Sequence, residues 1–342
     1  MSLSMGIIGL RHDHLWWYLD HIRRVPKARI TCVADPSPTQ LDKARAVPGM
    51  EDVTVYEDED RMLAEEKIDA CLVFSENYRH AELTEKCARR GVHVMVEKPI
   101  AGSLADADRM LNAVEEHKVR LMVNYPIYHM PYVHSCYKVV KDGSIGRVWS
   151  FRFVTGHSGP EAFCSNAFTS WLLDKDKNQG GSLQDFCTYG ACLFVWYFGR
   201  PDRVSAMSGK FIHTDYPAED HAVITVRYDR LNVIGTIEGT WATTPDILIV
   251  RLSGEKGSVF NDPRDVQKLY IQAAGEKEAR ELPQTQMPDW QSVPINYFVE
   301  RLHEGKPFEG MTDPQVARDA QEILDAAKRS VIERREVELP KR

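Results

Sequence analysis

The sequence predicts an α/β domain followed by an α+β domain, and two patterns support this fold class. Strand-like and helix-like segments alternate over residues 1–123, which indicates a parallel, doubly wound Rossmann sheet. Over residues 124–342, runs of alternating β-type residues follow one another, which is typical of an open, mainly antiparallel sheet. We therefore expect a dinucleotide-binding domain at 1–123 and a substrate-binding and oligomerisation α+β domain at 124–342.

Composition limits the function classes. A chain of 342 residues is too long for one ordinary core, which supports two domains. The net charge of −7 and the lack of a Lys/Arg block argue against nucleic acid as a partner. No apolar run approaches the roughly 18 residues of a membrane span, and no signal-peptide pattern opens the chain. Seven cysteines without a C-x-x-C pair suggest neither a zinc site nor a redox pair, so a reduced, cytoplasmic protein is expected.

The expected elements follow the same two patterns. In the first domain, six strands are expected at residues 3–8, 29–34, 53–56, 70–74, 93–96 and 120–123. Helices are expected between them, ending near 24 and spanning 38–46, 60–66, 80–90 and 104–117. In the second domain, helices are expected at 131–141, 182–198, 290–303 and 313–333. Its strands are expected at 148–155, 204–210, 222–228, 233–241, 247–252 and 268–271.

The fifth strand ends abruptly in Glu97, Lys98 and Pro99. Proline cannot continue a ladder of hydrogen bonds, so two charged residues arrive at the carboxyl end of a central strand. Open α/β sheets hold their ligands at that edge. An ordinary charged surface turn is the alternative.

The first strand-to-helix turn is a degraded dinucleotide loop. A Rossmann turn carries G-x-G-x-x-G, but only the first glycine, Gly9, is present, and Arg11 and His14 occupy the other two positions. Cations at a helix N-terminus oppose its dipole, and an anion there relieves that cost. We expect the turn to hold cofactor phosphates partly through side chains, with a solvated loop as the alternative. Its candidate cofactor-binding residues are Gly9, Leu10, Arg11, His12 and His14.

Asp35 ends the second strand, where an acidic residue can accept both ribose hydroxyls of NAD. The same carboxylate would repel the 2′-phosphate of NADP, and no arginine follows at once. The sequence favours NAD and leaves NADP open.

A second candidate site lies after the glycine pair Gly180 and Gly181. Asp185 and Tyr189 are four residues apart, so on one helix they share a face and could handle a proton together. The alternative is a helix-stabilising aspartate and a core tyrosine.

Aromatic residues with polar tips suit a sugar ring, although core or interface packing explains them equally well. Those considered are Tyr125, Tyr128, His129, His157, Phe163 and Trp171. No metal is expected, since only His12-Asp13-His14 has ligand spacing.

These motifs together resemble the Gfo/Idh/MocA oxidoreductases, the family of glucose–fructose oxidoreductase and inositol dehydrogenase, nearly end to end. The motif after strand five is the family's E-K-P. Residues 69–80 match its D-x-x-x-x-x-T-P-x-x-x-H, with Ser75 and Glu76 in place of Thr and Pro and with His80 retained. Residues 143–146 match its G-x-I-G, and Trp171 with the glycine pair matches the lead-in to the site helix. Tyr189 resembles the branch with dihydrodiol dehydrogenase, although Cys187 replaces that branch's glycine.

The resemblance implies hydride transfer between NAD(P) and a secondary hydroxyl or carbonyl of a sugar, inositol-like polyol or derivative. Tyr189 then carries the proton, Lys98 binds the reacting oxygen and tunes the tyrosine, and Asp185 bonds to substrate or lysine; Lys98 as the acid–base is left open. An ammonium about 4 Å from a phenol supplies roughly 4 kcal/mol, about 3 pKa units, which would bring the pKa of Tyr189 to about 7. Further expected cofactor contacts are Ser75, Glu76, His80, Glu97 and Lys98, and further expected substrate contacts are Lys98, Tyr125, Tyr128, Trp171, Asp185 and Tyr189.

The sequence leaves two other functions open. One is a glycoside-cleaving relative that oxidises its substrate transiently and regenerates NAD. The other is a non-catalytic nucleotide-binding sensor or repressor, which the degraded glycine loop favours but Lys98 and Tyr189 oppose. An open sheet with one apolar face must be covered, so a homodimer or homotetramer through that sheet is expected.

Overall fold

The computed structural model describes residues 2–262 and 264–341. Its strands are β1 Leu3–Ile8, β2 Ala28–Ala34, β3 Thr54–Tyr56, β4 Ala70–Val73, β5 His93–Glu97, β6 Leu121–Asn124, β7 Val148–Gly156, β8 Arg203–Gly209, β9 His221–Tyr228, β10 Val233–Thr240, β11 Ile247–Gly254, β12 Gly257–Asp262, β13 Asp265–Ala273, β14 Arg280–Leu282 and β15 Val337–Glu338. Its α-helices are α1 Asp13–Ile22, α2 Pro38–Arg45, α3 Glu59–Glu65, α4 His80–Arg89, α5 Leu104–Glu116, α6 Pro131–Lys141, α7 Asn166–Leu172, α8 Lys175–Asn178, α9 Ser182–Asp185, α10 Cys187–Phe198, α11 Pro294–Glu304 and α12 Pro314–Glu333.

The first sheet has six parallel strands in the order β3-β2-β1-β4-β5-β6. The order reverses direction between β1 and β4, which is the topological switch point of a doubly wound fold. The central strands β1, β4 and β5 are almost wholly buried, as strands covered by helices on both faces are. The predicted α/β fold of this part is confirmed.

The second sheet has nine strands in the order β14-β13-β12-β11-β7-β10-β9-β8-β15. The pair β7–β10 is parallel and the other pairs are antiparallel, so the predicted mainly antiparallel sheet is also confirmed. In β9 buried residues alternate with partly exposed ones, which is the pattern of a sheet covered on one face.

The chain folds as two compact units. Unit 1 comprises 1–125, 164–179 and 288–318, and unit 2 comprises 126–163, 180–287 and 319–342. The first division falls close to the expected boundary at residue 123. However, residues 164–179 and 288–318 also belong to unit 1, so the two units are not divided at one position in the chain.

Several element bounds differ from the sequence expectations. The first helix ends at Ile22, and α11 begins at Pro294 because residues 289–291 form a separate 3₁₀ turn. The expected helix over 182–198 is broken at Phe186 into α9 and α10. Three further strands, β12, β14 and β15, were not expected from the sequence: β12 and β14 pair with the strands that precede them in the chain, and β15 pairs with the distant β8.

Two further observations concern the chain as a whole. All seven cysteines are free thiols. Over residues 2–262 and 264–341, every helix is too short or too polar to cross a membrane.

Candidate active site

The turn between β1 and α1 depends on Gly9. Its φ is +85°, and a Cβ placed there would lie 2.8 Å from the carbonyl group of Phe74 and from the amide nitrogen of Ser75. Only glycine permits both this conformation and this close approach. Gly9 is therefore required for the close approach of this turn to Phe74 and Ser75, which follow β4.

Asp35 ties the ends of β1 and β2 together. Its two carboxylate oxygens accept hydrogen bonds from the backbone N–H of Leu10, at 2.7 Å, and of Ser37, at 2.8 Å. Burial raises the pKa of Asp35, although these two donors and the nearby Arg11 guanidinium oppose the rise. Arg11 is one-third exposed and lies 3.7 Å from the Glu76 carboxylate. Leu10, Arg11, Asp35 and Glu76 thus interact with one another near the strand ends of unit 1.

Glu97 is the polar centre of unit 1. It is 1% exposed, and its carboxylate accepts a hydrogen bond from the Asn124 side-chain amide at 2.5 Å and from the Lys98 backbone N–H at 3.2 Å. His14 Nδ1 lies 3.0 Å from the same carboxylate. The acid of the E-K-P motif is thereby fixed between β6 and α1, and the backbone of Lys98 is fixed with it.

His12 faces the interior of unit 1. Its ring lies 4.6 Å from that of Phe168 and 5.7 Å from that of Trp171 between centroids. Burial lowers the pKa of His12 well below its usual value, and the nearby His14, Lys98 and His80 lower it further. His12 is thus a buried, neutral imidazole that packs on aromatic rings and supports the turn structurally. A neutral ring has no positive charge with which to attract a phosphate.

His12, His14 and Glu97 form a group whose potential metal-ligating atoms lie within 4.8 Å of one another. The hydrogen bonds fit a metal poorly. His12 Nδ1 accepts a hydrogen bond from the backbone N–H of His14 at 3.2 Å, so the proton of the neutral ring sits on Nε2. This Nε2 lies 3.9 Å from the Glu97 carboxylate. Because Nε2 carries a proton, it has no lone pair with which to bind a metal ion. The cluster is better described as a hydrogen-bonded His–carboxylate group.

Lys98 directly follows β5, and His80 begins α4. Lys98 is 5% exposed, and its bond to Pro99 is cis. His80 Nδ1 lies 3.0 Å from the Pro99 carbonyl oxygen, and its Nε2 lies 3.3 Å from the Ser75 carbonyl oxygen. His80 thus links the two strand ends that carry the expected cofactor contacts.

Of the expected substrate contacts, Trp171 and Tyr125 belong to unit 1 and are fully buried. Tyr128 belongs to unit 2, where it packs against His134 and Trp196. His157 packs against Phe163 and Phe186 there, while His129 packs edge-on against Tyr128.

Asp185 ends α9, and Tyr189 lies in the first turn of α10. Both are buried, at 6% and 9% exposure. The expectation that they share a face of one continuous helix is wrong, because the helix breaks at Phe186. There β10 comes so close that a Cβ on Gly239 would lie 2.8 Å from Cys187 Sγ. Glycine in the strand therefore makes room for the cysteine that replaces the family's glycine.

Trp241 contacts the candidate site residue Asp185, and the sequence did not reveal this contact. Its indole N–H donates to the Asp185 carboxylate at 3.0 Å, and its ring is fully buried. The only sequence signal is its position at the end of an expected strand.

Comparisons with known proteins agree with this description. Two models of one family match, "Oxidoreductase family, NAD-binding Rossmann fold" over residues 3–125 and "GFO/IDH/MocA C-terminal domain" over residues 133–260. A 2,7-anhydro-N-acetylneuraminate hydratase of Mediterraneibacter gnavus is 30% identical over 187 residues, which are 54% of this chain and 47% of the hydratase. The chain thus spans about half the length of that relative.

A myo-inositol 2-dehydrogenase of Thermotoga maritima is 22% identical over 345 residues, covering 98% of each chain. The solved structure of a levoglucosan dehydrogenase in complex with NADH and levoglucosan covers 100% of each chain with a TM-score of 0.83 at 19% identity, a similarity of fold. With both matched segments together taking up more than half of its length, the chain belongs to the Gfo/Idh/MocA family of oxidoreductases, and its first domain is the NAD-binding Rossmann domain of that family.

Proposed function

We propose that the chain is an NAD-dependent dehydrogenase or reductase acting on a secondary hydroxyl or carbonyl of a sugar, an inositol-like polyol or a derivative. The observation that carries the proposal is the buried Lys98 at the carboxyl end of β5 in an NAD-binding domain. Relatives named as a myo-inositol dehydrogenase and a D-apiose dehydrogenase support the substrate class.

The donors and acceptors of unit 1 fit a dinucleotide. The Gly9 turn brings backbone close to the strand ends, as a pyrophosphate site requires, and Arg11 supplies a partly exposed cation. Asp35 is fixed by two backbone N–H groups, yet each carboxylate oxygen keeps a lone pair for a ribose hydroxyl. We assign NAD rather than NADP to this site, since a 2′-phosphate would meet the Asp35 carboxylate.

The bound nicotinamide would accept the hydride, and the side chains would handle the proton. We assign Tyr189 as the group that takes the hydroxyl proton, Lys98 as the cation that holds the reacting oxygen, and Asp185 as a hydrogen-bond acceptor for a substrate hydroxyl. Lys98 as the proton carrier is the alternative assignment. Glu97 holds the backbone of Lys98 and does no chemistry.

A glycoside-cleaving activity with no net oxidation is the second candidate. The hydratase relative, at 30% identity over 54% of this chain, favours it. The two activities differ in whether NADH accumulates.

The first experiment is a heat-unfolding titration with NAD, NADH, NADP and NADPH. A ligand at 100 times its dissociation constant adds about 2.7 kcal/mol of stability, which raises the unfolding midpoint by several degrees. A shift with NAD and NADH only is expected. With NAD present, sugars and polyols are then screened for absorbance of NADH. Product without NADH indicates the glycoside-cleaving activity, and no shift with any nucleotide would overturn the proposal.

We also propose that the chain self-associates through the outer face of its second sheet. Exposed apolar side chains there include Met207 at 82% and Ile234 at 46%, and Arg152 and Glu238 on the same face lie 3.5 Å apart. A second copy related by a twofold axis could cover the apolar groups and pair those charges reciprocally.

A further inference from the structure

The start of α9 is held by one residue from the loop between β8 and β9. Glu219 Oε1 accepts hydrogen bonds from the backbone N–H of Gly181, at 2.8 Å, and of Leu183, at 3.1 Å. The Glu219 carbonyl oxygen accepts a third from Ser182 N–H, at 3.0 Å. Three successive N–H groups that a helix start leaves unsatisfied are therefore occupied by a single acidic residue.

Gly181 shows how close this contact is. A Cβ at position 181 would lie 2.0 Å from the Glu219 carbonyl oxygen, so any side chain there would drive the two segments apart. The second glycine of the pair is thus explained by the approach of Glu219, and not by a ligand.

The next residue continues the same arrangement. The Asp220 carbonyl oxygen accepts the backbone N–H of Trp241 at 2.7 Å, and the Trp241 indole donates to Asp185. Glu219 and Asp220 therefore hold two things: the first turn of α9, whose last residue is Asp185, and the tryptophan that binds the Asp185 carboxylate.

A side chain of α9 also contacts α12. Gln184 Nε2 donates to Gln321 Oε1 at 3.0 Å, and Gln321 Nε2 donates to Asp325 at 3.0 Å. Burial lowers the pKa of Lys328 on the same helix, while the charges of Asp325 and Glu219 raise it. The partly buried Lys328 thus interacts electrostatically with Glu219.

We propose that Glu219 is the positioning residue of the active site: it fixes the 181–185 turn so that Asp185 presents its carboxylate to the substrate. The inference rests on the proposed role of Asp185. It predicts that the hydrogen-bond acceptor at position 219 matters more than its charge, because Oε1 serves two backbone donors at once.

Three variants separate these properties. Glu219→Gln keeps an oxygen acceptor of the same reach, Glu219→Asp keeps the charge but shortens the side chain by one methylene, and Glu219→Ala removes the group. The matched control is Glu255→Ala, an exposed glutamate of unit 2 whose partner is Arg147. For each, kcat, KM and the NAD dissociation constant are measured, together with amide hydrogen exchange over 180–186.

Glu219→Ala and Glu219→Asp should lower kcat at least about tenfold, the scale of a lost hydrogen bond to a charged group, and should speed exchange over 180–186. Glu219→Gln should stay within about threefold of the parent in kcat, and the NAD dissociation constant should not change in any variant. The inference is overturned if Glu219→Asp has the kcat and the hydrogen exchange of the parent. It is also overturned if Glu219→Gln loses kcat as Glu219→Ala does while its amide exchange over 180–186 stays as slow as in the parent.

Failure of the proposed function looks different. A parent protein that oxidises no sugar or polyol removes the role of Asp185, yet the exchange measurement still decides whether Glu219 holds the turn. If Glu219→Ala does not fold, the comparison of Glu219→Asp with Glu219→Gln is sufficient to decide whether Glu219 positions Asp185.

Discussion

The indole N–H of Trp241 donates a hydrogen bond to a carboxylate oxygen of Asp185 over 3.0 Å, and both side chains are buried. The two residues are 56 positions apart in the chain, so the bond joins the end of β10 to the end of α9. A buried carboxylate keeps its orientation only while its partners hold it. The orientation of the Asp185 carboxylate therefore depends on Trp241, which follows directly after β10 in the second sheet.

Replacing Trp241 with Phe should lower kcat/KM about tenfold or more. The ring volume is largely kept, but the donor is lost, and a hydrogen bond to a charged group contributes about 1.5–3 kcal/mol. Steady-state kinetics on the identified substrate measures the effect, with the exposed Trp149→Phe as control. Equal kinetics for the two variants would show that the bond does not orient Asp185 for catalysis.

Gly9→Ala should destabilise the protein more than Gly91→Ala. Both residues have positive φ, +85° and +73°, but a Cβ at position 91 meets nothing within 4 Å. The control therefore carries only the conformational cost, about 1–2 kcal/mol. Gly9→Ala adds the clash with Phe74 and Ser75, so we expect a lower unfolding midpoint than the control and at least tenfold weaker NAD binding by titration. Identical results for both would mean that the loop can move away.

The strand-end residues of unit 1 could be placed from the sequence alone. Parallel strands bring their carboxyl ends to one edge, so Gly9, Asp35 and Glu97 were expected together from local patterns. Gly9 and Asp35 directly follow β1 and β2, and Glu97 is the last residue of β5.

Other features depend on partners that are distant in sequence. His12 is neutral and buried because Phe168 and Trp171, some 150 positions later, return to unit 1. The break between α9 and α10 follows from the approach of β10, and a helical pattern cannot reveal that. Polar positions whose environment comes from remote segments are where sequence reasoning failed.

His12 should make stability fall with acidity. Burial, followed by His14, Lys98 and His80, holds its folded pKa below the usual 6.5. The unfolded chain therefore takes up a proton below about pH 6.5 that the folded chain refuses. Stability that is present above that pH is lost as the pH falls toward the lowered value, by at most about 1.4 kcal/mol per pH unit.

The measurement is the difference between unfolding midpoints at pH 7.5 and 5.5. His12→Gln cannot titrate, so this difference should shrink by about 2 °C, whereas the exposed His117→Gln should leave it unchanged. An undiminished difference in the His12 variant would mean that this ring does not set the pH dependence.

Met207→Glu should shift the oligomer toward monomer. The side chain is 82% exposed on the outer sheet face, and burying an unpaired carboxylate in an interface costs several kcal/mol. Sedimentation equilibrium of the parent and the variant measures the shift, with Ile332→Glu, exposed at 79% on α12, as control. A parent that is monomeric at high concentration, or a Met207 variant that associates equally well, would exclude this face as the interface.

Tyr189→Phe and Lys98→Met together decide which group carries the proton. If Tyr189 is the carrier, its hydroxyl is indispensable, and Tyr189→Phe should lower turnover by about two orders of magnitude or more, while Tyr270→Phe on β13 should change nothing. Lys98→Met should then weaken binding of the reacting oxygen and move the acidic limb of the pH–rate profile for oxidation to higher pH, because the cation that lowers the pKa of the phenol is gone. The double variant should be little worse than the worse single one, since residues that act on one proton are not additive. Near-normal turnover of Tyr189→Phe, with Lys98→Met inactive at every pH, would instead assign the proton to the lysine.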